Sequence, residues 1–170
     1  AVAYRSRLRW WEYVLWPLLM LGWAGLAMTL LGRTVTTVLR DGLFGWLPAA
    51  WDPADYLLRP SAYARGWRIV TWALGLLTTT IWFPAVEELY FRGFLLPRLR
   101  GNVAVVVLAN AALFACYHFF SPWQIPARFV ALVPFVWFVW WKKDVKLGIA
   151  AHVALNLVGD TIPAIPIVFR

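Results

Sequence analysis

Glu87 and Glu88 are adjacent, and Arg92 follows Glu88 by four positions. On a helix Glu88 and Arg92 share a face and pair in the favourable order, whereas Glu87 is rotated by about 100° and does not easily share that partner. One carboxylate is then neutralised, and its neighbour is left free to act as a base. The chain's two histidines complete the set. His118 follows Phe114 by four residues in FACYH, so the Phe114 ring can wall one side of the imidazole. His152 precedes Asn156 by four in HVALN, so an imidazole and a carboxamide project toward a common point. A base, two imidazoles and a carboxamide are the parts for hydrolysis by activated water. Taken singly each has a plainer reading: a helix end with snorkelling charges for the glutamates, and hydrogen bonding between helices for the histidines and Asn156.

The setting raises the weight of these groups. Eighteen uncharged residues, Ile69 to Val86, run directly into Glu87, and an ionised side chain near a bilayer centre costs roughly 2.5 kcal/mol or more. The 170-residue chain is 62% hydrophobic and 14% charged with 13 tryptophans. That much apolar surface cannot be hidden in a soluble domain, so the chain reads as an integral, multi-pass membrane protein. The net charge of +8 is scattered singly or in short clusters, which reads as topology signal rather than nucleic-acid binding. The single cysteine, Cys116, permits no intramolecular disulfide and no thiolate metal site. As a nucleophile it is turned by about 200° from His118 on a helix, so it is read as a small buried apolar residue.

Five apolar segments can be placed, 14–31, 69–96, 103–120, 127–141 and 147–168, and the polar set lies in the last four. Spanning takes about 20 helical residues, so the expected fold is all-α, a polytopic membrane helix bundle of about five transmembrane helices plus an interfacial segment, the fourth span being short. One integral membrane domain is expected over 1–170, with 14–66 as anchor helix and interfacial loop and 69–160 as a four-helix core bearing the motifs. Arg5, Arg7 and Arg9 before the first span give it the charge order of a retained signal anchor. Trp46, Trp51 and Tyr56, among Pro48, Pro53 and Pro60, suit the headgroup level. The first basic cluster, Arg98 with Arg100, and Lys142, Lys143 and Lys146 fall on one side, which predicts a cytoplasmic N-terminus. The opposite side carries Arg33, Arg40, Arg59 and Arg65 against Asp41, Asp52 and Asp55. Pro84 cannot donate to Thr80, so a kink or break is expected just before Glu87. Asp160, ahead of Pro163 and Pro166, is expected to end the last regular helix.

EELYFRG, FACYH and HVALN, in that order on successive apolar segments, resemble the three motifs (Glu-Glu-x-x-x-Arg, Phe-x-x-x-His and His-x-x-x-Asn/Asp) of the CAAX-protease and bacteriocin-processing family of intramembrane endopeptidases. The resemblance covers about residues 69–160, and residues 1–66 carry no such signature. It implies that Glu87 activates a water for attack on a peptide carbonyl, assisted by His118, and later passes the proton to the leaving amine. It implies that His152 and Asn156 donate to the oxyanion, that Glu88 and Arg92 fix the helix bearing Glu87, and that Phe114 shapes the pocket. No cofactor is expected. Were zinc used, its ligands would be Glu87, His118 and His152, but there is no His-Glu-x-x-His and no obvious second general base, which favours metal-independent catalysis. The implied substrate is a membrane-associated protein or peptide, lipidated or bearing a C-terminal sorting tail. The rival readings are a non-catalytic immunity or scaffold protein and a proton-coupled carrier, the latter without its expected inverted repeat.

Straight spans set a geometric problem. Glu87 and His152 would fall in the inner half of the bundle and His118 in the outer half. Convergence of Glu87, His118, His152 and Asn156 on one water-sized point therefore requires tilt, a shifted third helix or a re-entrant entry.

Overall fold

The computed structural model describes residues 7–48, 51 and 59–170. Arg5, Asp52, Pro53, Asp55 and Tyr56 lie outside the described residues. The described chain is an all-α membrane bundle of five apolar helices: α1 (Glu12–Leu43), α2 (Arg65–Arg98), α3 (Val103–Tyr117), α4 (Pro122–Lys142) and α5 (Val145–Phe169). Four are long and apolar enough to cross a bilayer, and α3 is the shorter one.

The boundaries follow local chemistry. Gly101 holds φ +130°, a conformation that disfavours a side chain, and Asn102 then caps α3 by accepting from the Val105 amide at 3.0 Å. Lys143 turns the chain in the left-handed region at φ 52°. Asp144 caps α5, its Oδ1 accepting from the amides of Lys146 at 2.8 Å and Leu147 at 3.3 Å. The fourth span is thus longer than its apolar stretch suggested. The third is shorter, ending at Tyr117 rather than at residue 120.

No break occurs at Pro84. The chain enters Phe83–Glu88 from a wide π turn over Leu76–Trp82, where the amide of Phe83 donates to Thr78. The missing donor of Pro84 is absorbed by a change of hydrogen-bond register, which keeps the helix continuous. Asp160 does not end the last helix either. It sits in a second π turn, Leu157–Thr161, from which the helix resumes at Ile162 with Pro163 in its first turn. The two turns face each other, and their buried threonine hydroxyls, Thr80 and Thr161, lie 2.6 Å apart.

Packing defines the topology. α3 packs on α4, and α1 packs across both α4 and α5. The start of α2 contacts the end of α5, and Phe83–Glu88 contacts the first half of α5, so these two helices run antiparallel. α1 is tied to the α4–α5 turn by Lys142 Nζ, 2.8 Å from Glu12 Oε1, and by the Tyr13 hydroxyl, which donates to Asp144 at 2.6 Å. The basic residues flanking α1, the α2–α3 connection and the α4–α5 turn therefore gather at one end. The tryptophans agree, because Trp16 meets Trp141 at 5.6 Å and Lys142 lies over both rings.

Counted from that end at 1.5 Å per residue, Glu87 and Asn156 lie at about 16 Å, His152 at about 10 Å and His118 at about 22 Å. Cys116 is exposed on the outer surface of the bundle, not buried in it.

Candidate active site

Glu88 and Arg92 project from one face of α2 into the interior, where both side chains are 0% exposed, with Arg92 Nη1 3.0 Å from Glu88 Oε1. The guanidinium is stacked among rings, its Cζ 4.2 Å from the centre of Phe114 and 5.0 Å from that of Phe135. Buried charges need this compensation: without a partner, either would bear a desolvation penalty of several kcal/mol. Glu87 points elsewhere, as its 100° rotation dictates, and makes no ion pair with Arg92 among the described residues.

His152 joins the two glutamates. Its Nδ1 is 3.0 Å from Glu88 Oε1, and its Nε2 faces Glu87 Oε2 at 3.9 Å. A Glu88 carboxylate held by Arg92 is an acceptor, so His152 Nδ1 carries the proton of that hydrogen bond. Nε2 then accepts when the ring is neutral and donates toward Glu87 when it is protonated. Gly148, one turn before His152 on the same face, makes the approach possible: a β-carbon there would stand 2.7 Å from Glu88 Oε2.

Phe114 gathers the second histidine. Its ring centre is 4.8 Å from His118 and 5.6 Å from His152, so both imidazoles flank one phenyl ring. His118 Nδ1 is 3.0 Å from the Phe114 carbonyl, which can only accept, so Nδ1–H donates and Nε2 presents a lone pair. Asn156, one turn beyond His152, donates from Nδ2 to the Thr79 carbonyl at 2.9 Å, in the π turn ahead of Pro84. The second N–H of that amide remains for another acceptor.

The structure thus brings Glu88, Arg92 and His152 into direct contact, sets Glu87 3.9 Å from His152, joins His118 through Phe114, and ties Asn156 to the backbone of α2. Arg128 escaped the sequence reading although it lies within an apolar segment. Its Nη1 donates to the Ser121 hydroxyl at 3.2 Å, and the Ser121 amide donates to the His118 carbonyl at 3.0 Å. A lone guanidinium in that segment is the signal that would have found it. Gly148 left no sequence signal, because its role is to yield space to a side chain sixty residues away.

Among the described residues no three His, Cys, Asp or Glu side chains are grouped to hold a metal ion. His118 Nδ1 is directed at the Phe114 carbonyl and His152 Nδ1 at Glu88, which leaves Nε2 of each ring for the site.

No curated protein and no solved structure matches the chain. A family model does, the type II CAAX prenyl endopeptidase Rce1-like model, over residues 69–158, from the charge-free half of α2 to the π turn of α5. With the ordered motifs on α2, α3 and α5 and more than half its length matched, the chain belongs to the Rce1-like family.

Proposed function

We propose that this protein is an intramembrane endopeptidase of the CAAX-processing type, cutting a peptide bond of a membrane-associated protein or peptide without a metal. The observation that carries the reading is the placement of His152 between a fully buried, Arg92-paired Glu88 and a partly exposed Glu87. Glu87, 14% exposed and free of Arg92, is the base that takes a proton from the attacking water. His118 accepts through Nε2 and orients that water. In its protonated form His152 donates to Glu88 through Nδ1 and has Nε2–H left for the developing oxyanion, with the second N–H of Asn156 beside it. Glu87 then returns the proton to the leaving amine, and the C–N bond breaks. Phe114 holds both imidazoles, and Glu88 with Arg92 fixes the helix turn that presents Glu87.

The family supports a membrane-associated substrate, and the candidates are a lipidated tail, a peptide leader or a C-terminal sorting tail in the bilayer. The gathered basic residues support a cytoplasmic N-terminus. The test compares membrane-protein termini in cells carrying the natural chain or Glu87→Gln. Loss of a defined set of new termini is the expected result, and an unchanged set with full biological function would leave a scaffold or immunity role instead.

A further inference from the structure

Among the described residues Arg128 is a charge without a contact partner of opposite sign. It lies six residues into α4, about 9 Å along the helix from Pro122, where an ionised group needs compensation. Its Nη1 donates to Ser121 Oγ at 3.2 Å and its Nη2 to Gln124 Oε1 at 2.7 Å, both neutral acceptors. No carboxylate of the described residues forms an ion pair with it. Asp160 interacts with it electrostatically from the π turn of α5, without contact.

The location is specific. Counted from the basic end of the bundle, Arg128 stands at about 21 Å, level with His118 at about 22 Å. The two are linked through one turn, in which the Ser121 amide donates to the His118 carbonyl at 3.0 Å while Arg128 holds the Ser121 hydroxyl. Arg92, the other buried guanidinium near Glu87, is shut away at 0% exposure, whereas Arg128 is only half-buried. The planar fork of a guanidinium suits a carboxylate, and a desolvated carboxylate would supply the missing counter-charge.

We propose that Arg128 is a substrate-binding residue that receives a carboxylate of the bound peptide beside the Glu87–His118 site. The inference rests on the peptidase reading for the identity of the ligand. It makes the site select peptides with an anionic group close to the cut bond, in the first place a free C-terminus.

Binding to the Glu87→Gln protein in detergent micelles tests this without requiring cleavage. The probes are a fluorescein-labelled apolar hexapeptide ending in a free carboxylate, the same peptide as its C-terminal amide, and the amide with one internal glutamate. Fluorescence anisotropy is expected to show the free acid binding roughly tenfold tighter than the amide. Adding Arg128→Gln should bring the acid to the level of the amide and leave the amide unchanged, while Arg128→Lys should keep part of the preference. Tight binding of the glutamate peptide would assign the carboxylate to a side chain rather than the terminus. Equal or absent binding of acid and amide, with Arg128 intact, would overturn the proposal. So would an equal weakening of both by Arg128→Gln, which marks Arg128 as a clamp on the 118–124 connection only. Cleavage by the natural protein is scored separately, so failure of the peptidase reading is distinguishable.

Discussion

His152 Nδ1 lies 3.0 Å from Glu88 Oε1, linking two residues sixty-four positions apart. The carboxylate that anchors Arg92 within α2 therefore also sets the tautomer and ring plane of the imidazole on α5. A motif that is local in sequence becomes the orienting partner of another. The same logic holds where a buried carboxylate orients a catalytic histidine in hydrolases, so that the far nitrogen faces the reacting groups.

Glu88 and Glu87 should accordingly fail in different ways. Glu88→Gln leaves Arg92 buried without its counter-charge, at a cost of about 3–5 kcal/mol. Glu87→Gln removes a group that makes no ion pair with Arg92 among the described residues and meets His152 only at 3.9 Å, so it should leave stability within about 1 kcal/mol of the natural protein while abolishing cleavage. Thermal unfolding of both variants in one detergent, read beside their activity, checks the division. Equal destabilisation by the two would contradict it.

Gly148→Ala should harm both properties. The added methyl would meet Glu88 Oε2 at 2.7 Å and Val139 Cγ2 at 3.3 Å. A side-chain tip normally yields cheaply, but this carboxylate is held by Arg92 on one side and His152 on the other. Overpacking of this kind typically costs about 1–3 kcal/mol. Because the displaced group orients His152, the turnover number should fall more than the affinity for substrate. A pure loss of stability with unchanged turnover per folded molecule would show that Glu88 tolerates the shift.

What could be read from the chain and what could not divides along the range of the interactions. The Glu88–Arg92 pair follows from i, i+4 spacing, and it is the pair the structure contains. The flanking of His118 by Phe114 is equally local. The end of α3 at Tyr117 was not legible, because Phe119 and Phe120 continue the apolar run although both are exposed after the turn. Pro84 signalled a broken helix, and only the facing of two π turns across α2 and α5 shows how continuity is kept. Arg128 was visible as a charge and lost among topology signals, since its bonds to Ser121 and Gln124 depend on the turn that follows Tyr117, which the continuous apolar run concealed.

The threonine pair between those π turns gives a test of the packing. Thr80 and Thr161 are both buried, with their hydroxyls 2.6 Å apart. Valine at either position alone leaves the other hydroxyl without its partner, at a cost of about 1–3 kcal/mol. Valine at both removes donor and acceptor together, so the double variant should be more stable than the sum of the singles predicts. A double-mutant cycle of unfolding free energies with no coupling would mean that the hydroxyls do not meet.

Metal dependence is decided by exhaustive chelation of the purified protein. Glu87 stands 3.9 Å from His152 Nε2, and Nε2 of each histidine is left for proton transfer while Nδ1 is engaged. If Glu87 were a ligand it would no longer be free to take the proton of the attacking water, and among the described residues Glu88 is buried against Arg92 and unfit to replace it. Activity is therefore expected to survive chelation within about twofold, which is below the change produced by losing one hydrogen bond in a transition state. Activity abolished by the chelator and restored by zinc would reassign these three side chains from proton transfer to coordination, and the roles of Glu87 and His152 given above would fall with it.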